Sequence, residues 1–488
     1  MPKPGHAGPP ADVIDHLIDT HDANGTLDKL LNSGIGDSVY AQLAKPTGYM
    51  NGYTTVYGWQ PWSWDGGATV TLLPGMDPGS SDAGVFGGFT EFNGNLYFTA
   101  YDPANGYELR KFDGTTVSLV DINPGAGSSD AGRFGGFTEW NGNLYFTAYD
   151  PANGYELRKF DGTTVSLVDS RPGTWSSDAG QFGGSIVFNG DLYFTANDGI
   201  TGFELRKFDG SSVSMVENIN PGSASSNAGA IAGFTEFNGN LYFNAYDPIN
   251  GYELRQFDGD TVSLVDINPG PGSSNAGRYG FIEFNGDLYF TANDGSTGFE
   301  LRKFDGTNVA LVENINPGSA SSSAGLYGMV EFNGALYFTA FDRDNGYELR
   351  KFDGTTVSVV DINLGSGGSH AGAFGGFVEF NGDLYFTADD GTTGFELRRL
   401  DGETDVVDTF DFLPGLDSSN ARLLGVVNGS LAIGAFIDEN DDGAADRYAM
   451  LTATGKPGAV ADFSVVDDGS GTFEPGSFIY VPDDDLLF

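Results

Sequence analysis

The sequence predicts an all-β fold: a β-propeller built of four-stranded antiparallel blades. One series of eight Asn-Gly dipeptides, from Asn93 to Asn428, recurs at steps of 47 to 49 residues, and most of its members lie in one longer phrase, seen in residues 88–119. A repeat of about 45 residues containing four short strands is typical of a propeller blade. The 74 glycines and the 14% aromatic content fit many tight turns between short aromatic strands.

Each unit contains four runs enriched in aromatic and β-branched residues, which in the first full unit read GFTEF, LYFTA, YELRKF and TVSLVDI. Asn93-Gly94 joins the first two runs and Asp113-Gly114 joins the last two. Both dipeptides favour the positive φ angles of type I′ hairpin turns. A single meander cannot bury both faces, so we expect alternating apolar side chains to form the core between stacked blades. In this unit they are Leu96, Phe98, Leu109 and Phe112.

The blade number follows from counting units. Seven full units follow one another, and the first of them begins near Phe86. Two degenerate units, Gly48–Leu73 and Leu423–Val466, flank this series. Because propellers often complete one blade from both chain ends, we predict eight blades, with seven or nine as alternatives. The predicted domains are a short helical N-terminal segment (1–45), the propeller (46–469) and an acidic C-terminal tail (470–488).

The N-terminal segment carries an apolar helical stripe formed by Val13, Ile14, Leu17 and Ile18, which we expect to dock on the propeller or on a partner. The following stretch, Thr20–Asp28, is a weak match to a calcium loop. Its first ligand position is Thr20 rather than Asp, so a helix–turn–helix with an acidic turn is the favoured interpretation.

Charge and composition exclude several classes of protein. The 67 acidic and 23 basic residues give a formal charge of −44, which repels nucleic acid and anionic membranes and attracts cations. The alternative explanation of this negative charge is that it keeps the protein soluble in a salty medium. The chain has no cysteine, no apolar run long enough to span a membrane, and no N-terminal pattern of a cleaved signal peptide.

The phrase ELRKFDGT at Glu108–Thr115, repeated at Glu156–Thr163 and Glu348–Thr355, resembles the ELWxxDGT repeat of large bacterial secreted and surface proteins. The upstream YFTAxDxxxGxE and the downstream DINPGxxSS elements are also similar to that family, and the resemblance covers residues 86–422. Arg110 and its equivalents stand where the family usually has Trp. The resemblance implies an extracellular, propeller-like repeat domain and no particular catalytic residues.

The chain ends in Val481–Phe488, an acidic cluster followed by terminal hydrophobic residues. This ending resembles the uncleaved C-terminal signal of type I secretion substrates of Gram-negative bacteria, and a frayed acidic tail is the alternative. We therefore expect a protein that is secreted or held at the cell surface without a cleaved N-terminal signal.

One motif predicts a calcium site. Residues 438–446 read Asp-Glu-Asn-Asp-Asp-Gly-Ala-Ala-Asp, between the strand-like runs AIGAF and RYAML. Alternating carboxylate and amide oxygens suit Ca²⁺, and the glycine permits the sharp turn. A metal-free acidic hairpin tip is the alternative. The predicted ligands are Asp438, Asn440, Asp442 and Asp446.

A second set of candidate residues lies in the loops joining the second and third strands, which we expect on the same face as the blade-to-blade loops carrying Asp121 and Asn123. The carboxylate and amide oxygens of these loops would bind calcium in each blade. Alternatively, they would bind a sugar that stacks on the tyrosine at the start of the loop. The favoured alternative is structural: Glu108 and Arg110 form ion pairs with neighbours, and Asp and Asn serve the turns. The candidates are Tyr101, Asp102, Asn105, Glu108, Tyr149, Asp150, Asn153, Glu156, Tyr246, Asp247, Asn250 and Glu253.

No catalytic set emerges from the sequence, because the four histidines match no nucleophile pattern and no phosphate loop is present. We therefore predict that the protein is not an enzyme but a calcium-stabilised structural, adhesive or assembly component of the bacterial surface. Its partners would be further copies, surface proteins or glycans, with no nucleic acid. A multivalent lectin is the second hypothesis, and an enzyme acting on polysaccharide is the third.

Overall fold

A computed structural model of the chain describes residues 47–76, 79–414, 418–438, 440, 445–454, 461–469 and 472–476. These residues form nine four-stranded antiparallel sheets, the blades of a nine-bladed propeller. The predicted fold class is therefore confirmed. The predicted N-terminal helical segment lies outside the described residues, as does most of the predicted tail.

The strands follow one another blade by blade. Blade 1 consists of β1 (Gly48–Thr54), β2 (Gly58–Trp64), β3 (Val70–Leu72) and the late strand β36 (Glu474–Pro475). Blade 2 consists of β4 (Phe89–Phe92), β5 (Asn95–Asp102), β6 (Gly106–Phe112) and β7 (Val117–Val120). Blade 3 consists of β8 (Phe137–Trp140), β9 (Asn143–Asp150), β10 (Gly154–Phe160) and β11 (Val165–Val168). Blade 4 consists of β12 (Ser185–Phe188), β13 (Asp191–Asn197), β14 (Phe203–Phe208) and β15 (Val213–Met215). Blade 5 consists of β16 (Phe234–Phe237), β17 (Asn240–Asp247), β18 (Gly251–Phe257) and β19 (Val262–Val265).

The second half repeats the pattern. Blade 6 consists of β20 (Phe281–Phe284), β21 (Asp287–Asn293), β22 (Phe299–Phe304) and β23 (Val309–Leu311). Blade 7 consists of β24 (Met329–Phe332), β25 (Ala335–Asp342), β26 (Gly346–Phe352) and β27 (Val357–Val360). Blade 8 consists of β28 (Phe377–Phe380), β29 (Asp383–Asp389), β30 (Phe395–Leu400) and β31 (Val407–Phe410). Blade 9 consists of β32 (Arg422–Val427), β33 (Ser430–Ile437), β34 (Arg447–Thr454) and β35 (Asp462–Val466).

The two predicted hairpin turns form differently. Asn93 (φ 51°) and Gly94 (φ 69°) both have positive φ and close a two-residue turn, as predicted. The Asp-Gly hairpin is not of type I′, which corrects the prediction. Phe112 pairs with Val117, so this loop has four residues, and the Asp113 carboxylate accepts the backbone N–H groups of the next two threonines. The aspartate caps the loop instead of adopting the left-handed conformation.

The core lies between blades, as the alternation of apolar residues predicts. Leu96, Phe98, Leu109 and Phe112 are buried. One cluster joins Leu109 of blade 2 to Leu144, Phe146 and Phe160 of blade 3, and equivalent clusters join the following blades. Full burial of each such side chain stabilises the fold by about 2 kcal/mol, so stacking neighbours rather than hairpin formation holds a blade in place.

Closure of the ring decides the blade number. The prediction of eight blades is wrong, because the degenerate unit after Arg422 forms a complete blade of its own and does not share one with the N-terminal unit. The N-terminal unit supplies three strands of blade 1, and β36 supplies the fourth by pairing with β1. Phe473, fully buried, packs on Trp62 with ring centroids 5.1 Å apart. The predicted closure from both chain ends is thus observed, with nine blades.

One face of the ring carries all the candidate loops. In blade 2 the backbone N–H of Tyr107, just after the loop between the second and third strands, donates to Ser128 Oγ in the loop leading to blade 3. The two kinds of loop therefore share a face, as predicted, and we call it the loop face. Among the described residues no helix is long and apolar enough to cross a membrane.

Candidate functional site

The loop carboxylate Asp102 is engaged by its own hairpin. Its oxygens accept the backbone N–H groups of Ala104 and Asn105 at 2.8 and 2.9 Å, the Asn105 side-chain amide, and the guanidinium of Arg110. Partial burial alone would raise the pKa of Asp102, but the hydrogen bonds from Asn105 and Arg110 and from the backbone lower it to about 2. The carboxylate is ionised and its acceptor sites are occupied by protein donors.

The same arrangement recurs in blades 3, 5 and 7, where an aspartate accepts from an asparagine three residues later and from an arginine eight residues later. The structure thus brings together the predicted pairs of Asp and Asn and adds an arginine to each. The triads are Asp102–Asn105–Arg110, Asp150–Asn153–Arg158, Asp247–Asn250–Arg255 and Asp342–Asn345–Arg350.

Glu108 is separated from these loop oxygens because its side chain points into the protein and is fully buried. Its carboxylate accepts the backbone N–H groups of Ile122 and Ser129, each at 2.9 Å, in the loop that leads to the next blade. It therefore fastens the outgoing loop and does not pair with a cation. Burial raises the pKa of Glu108 to about 7, although the hydrogen bonds from the loop oppose the shift.

Glu156 and Glu253 occupy the same position in blades 3 and 5. Glu156 accepts the N–H groups of Ser170 and Ser177 at 3.0 and 2.8 Å, and Glu253 makes the equivalent bonds to the loop after blade 5. Burial raises the pKa of Glu156 to about 7 and that of Glu253 in the same direction. These glutamates form a repeated internal fastening on strand three of each regular blade.

The candidate tyrosines lie at the surface of the loop face. Tyr101 is 37% exposed, and its ring packs on that of Tyr107 with centroids 5.1 Å apart. Tyr149 and Tyr246 make the same contact in blades 3 and 5. Asn123 turns inward and donates to the Ser128 carbonyl at 3.0 Å. The tyrosine rings are the part of the candidate set that faces outward.

The predicted calcium motif lies between β33 and β34 in the sequence, and three of its predicted ligands, Asp438, Asn440 and Asp446, are among the described residues. Asn440 donates its backbone N–H to Asp438 Oδ1 at 3.2 Å and its side-chain amide to Asp446 Oδ1 at 3.0 Å. The fourth predicted ligand, Asp442, lies outside the described residues. Within the described part of the chain, no three His, Cys, Asp or Glu side chains are grouped so as to hold a metal ion. Calcium binding here stays a prediction.

The sequence interpretation did not single out any of the seven regular blades and missed one exceptional place. Arg171 and Trp175, in the loop leading to blade 4, replace an asparagine or a glycine found at matched positions in most of the other loops. Trp175 is 70% exposed, whereas Trp62, Trp64 and Trp140 are buried. A position-by-position comparison of the repeats would have found it.

Fold and site together define a class: an acidic, nine-bladed β-propeller of repeated blades with an internally bonded loop face. No protein-family model matches the sequence, and no curated protein matches it.

Three of the solved structures with some similarity to the chain follow. One is a puromycin hydrolase, at 14% identity and a TM-score of 0.34, covering 74% of this chain and 60% of that one. Another is the GH74 xyloglucanase from Xanthomonas campestris, at 14% identity and a TM-score of 0.34, covering 86% and 66%. The third is apo AztD from Citrobacter koseri, at 11% identity and a TM-score of 0.36, covering 74% and 93%. The chain thus spans about 60% of the length of the puromycin hydrolase, and similarities at this level carry no information about activity.

Proposed function

We propose that the protein is a secreted, calcium-stabilised β-propeller that serves as a structural, adhesive or assembly component of a bacterial surface. The observation that carries this proposal is the repeated loop face, in which the loop carboxylates of successive blades are bonded to their own hairpins. Such loops form a rigid scaffold that presents nearly the same surface many times. Repeated weak contacts give high avidity without any strong single site.

The net charge of −44 supports a setting in which cations are abundant and nucleic acid is not the partner. The direct test of the proposed surface role is where the protein is found in and around producing cells. Immunogold labelling and fractionation of producing cells should place the chain at the surface or in the medium. Retention in the cytoplasm would contradict the proposal.

Export by the C-terminal tail is tested separately. The predicted tail, residues 470–488, fused to a passenger protein in a bacterium with a type I exporter, should carry the passenger into the medium. Replacing Asp483, Asp484 and Asp485 by Ala should reduce export, with the unmodified passenger as the control. If the passenger with the intact tail stays inside the cell, the tail is not a secretion signal. That result would not test the proposed function of the propeller.

Calcium stabilisation is tested by thermal unfolding in calcium and in excess chelator, with bound metal counted by mass spectrometry. Because a ligand that binds only the native state stabilises it by mass action, calcium at 100 times its Kd should add about 2.7 kcal/mol. One ion per chain, lost in Asp442→Ala, would support the loop of blade 9. Equal melting in calcium and chelator, with no bound metal, would remove calcium from the proposal.

A multivalent lectin is the second candidate function, favoured by the half-exposed Tyr101 and its counterparts Tyr149 and Tyr246. An aromatic ring at the surface beside polar loop atoms suits stacking against a sugar ring. A glycan array should then show binding that weakens when all three tyrosines are replaced by Ala. If the array detects no bound glycan, the lectin hypothesis is refuted and only the scaffold proposal remains. Release of reducing ends from a panel of polysaccharides would instead favour an enzyme.

A further inference from the structure

Three departures from the repeat converge on the loop face at blade 4. Blades 4, 6 and 8 share one type of hairpin loop, NDGxTG or DDGxTG. The nine residues that begin each preceding loop, 169–177, 266–274 and 361–369, align without a gap, so the residues of the three blades match one to one. In blade 4 a guanidinium replaces an amide, an indole replaces a hydrogen atom, and an aliphatic side chain replaces a hydroxyl. The matched sets are Arg171, Trp175 and Ile200 in blade 4, Asn268, Gly272 and Ser296 in blade 6, and Asn363, Gly367 and Thr392 in blade 8.

Arg171 lies next to Trp175 and next to the hairpin tip that carries Ile200. The Arg171 guanidinium carbon lies 5.7 Å from the centroid of the Trp175 ring, in cation–π geometry. A Cβ added to Gly199 would lie 2.9 Å from Arg171 Nε, so the guanidinium rests on the backbone beside Ile200. Arg171 also donates to the Ser176 carbonyl at 3.2 Å. The arginine thus fills the space between the indole and the hairpin tip.

This patch, defined by Arg171, Trp175 and Ile200, is strongly exposed. Trp175 is 70% and Ile200 is 74% accessible to solvent. Packing of the blade does not require either side chain, because blades 6 and 8 are built with glycine and a hydroxyl residue in their places. Large apolar side chains that are exposed together and serve no packing role mark an interaction site.

We propose that the patch is a docking site for a protein segment that presents an aromatic or aliphatic side chain flanked by lysine or arginine. Tryptophan and arginine are the residue types that most often dominate protein–protein binding energy. The inference rests on the proposed scaffold function and deepens it by naming where a partner binds and of what kind.

Two features select this occupant over others. The hydroxyl that Ser296 and Thr392 offer at the hairpin tip would suit a sugar, and blade 4 replaces it with Ile200. The net charge of −44 and the exposed Asp169 beside the patch attract a basic flank and repel a second copy of the chain.

The test is selection of random peptides displayed on phage, using the folded full-length chain as bait. The counter-selection bait is the triple variant Arg171→Asn, Trp175→Gly, Ile200→Ser, which installs the residues of blade 6. Enriched peptides should carry an apolar side chain between basic residues. Their affinity for the variant should fall about thirtyfold, the loss typical of removing one dominant contact residue. Thermal unfolding of the variant should match that of the parent, because blade 6 already folds with these residues.

Two further measurements keep the proposal open to refutation. Bound peptide should protect the exposed Trp175 from iodide quenching in the unmodified chain. The reverse graft, Asn268→Arg, Gly272→Trp and Ser296→Ile, should create a second site and raise the number of bound peptides from one to two.

Several results would overturn the proposal. Peptides that bind parent and triple variant equally, or no enrichment at all, would show that the patch is not a protein-docking site. Glycan binding lost in the triple variant would make it a sugar site, and dimerisation lost in the variant would make it a self-contact. None of these results bears on where immunogold labelling would place the chain, so failure of the docking site is distinguishable from failure of the proposed function.

Discussion

Replacing Glu156 by Gln tests the buried fastening between blades. Glu156 is fully buried, and its carboxylate accepts the N–H groups of Ser170 and Ser177. Glutamine keeps the shape and one acceptor oxygen, but its NH₂ group faces a backbone N–H donor. An unsatisfied buried donor costs about 1–3 kcal/mol, so at low pH, where Glu156 is also neutral, the variant is the less stable protein.

The pH dependence of the free energy of unfolding gives a second, larger expected effect of the Glu156 substitution. Burial raises the pKa of Glu156 from 4.5 to about 7. The folded state therefore binds the proton more tightly than the unfolded state does. The stability that this group contributes is fully present below pH 4.5 and is lost as the pH rises to about 7. The change amounts to about 3 kcal/mol. Glutamine does not titrate, so the free energy of unfolding of the variant should gain about 3 kcal/mol relative to the parent between pH 4.5 and 8.

The assay is urea unfolding of parent and variant at a series of pH values and constant ionic strength. Both proteins share every other titrating group, so those contributions cancel in the difference between them. Glu139→Gln, which removes an exposed charge on β8, is the control and should change stability by about 0.5 kcal/mol or less. A difference between the Glu156 variant and the parent that stays constant across the pH range would refute the reasoning.

Three other substitutions test the remaining supports of the fold. Asp150→Asn leaves a buried guanidinium without its carboxylate and should cost about 3 kcal/mol in urea unfolding, whereas breaking the exposed ion pair of Lys207 with Lys207→Gln should cost less than about 1 kcal/mol. Gly135→Ala should lower the free energy of unfolding more than Gly142→Ala does. Both glycines have positive φ, but a Cβ at Gly135 would lie 2.2 Å from the backbone of the next blade, whereas a Cβ at Gly142 would meet open space. Phe473→Ala should cost about 3–5 kcal/mol and speed hydrogen exchange in blade 1 specifically; uniform exchange across all blades would contradict the role of β36 as the closing strand.

The fold class was predictable because each blade repeats its own local signals. Strand runs and Asn-Gly turns act over a few residues, and seven copies reinforce one another. The blade number was not predictable, because it depends on how the two degenerate ends pair. The short strand β36 pairs with β1 across more than 400 residues of sequence, and two residues of strand carry too little pattern to be recognised.

The candidate site was predictable as a set of residues but not as an arrangement. Asp102 and Asn105 lie three positions apart, so their contact follows from one turn. The partners of Glu108 lie 14 and 21 residues away in the outgoing loop, and only the packed structure shows that this side chain points inward. The alternative of structural roles for these polar residues agrees with the observed hydrogen bonds, although Glu108 bonds to backbone groups and forms no ion pair.

By itself the sequence determined the blade, its Asn-Gly turns, its core positions and the acidity of its surface, because these depend on local spacing and composition. The tertiary structure decided the number of blades, the inward direction of the glutamates and the approach of Arg171 to Gly199 at the hairpin tip, which lie 28 residues apart. Those features depend on which segments the closed ring brings side by side, and that is set by packing between blades.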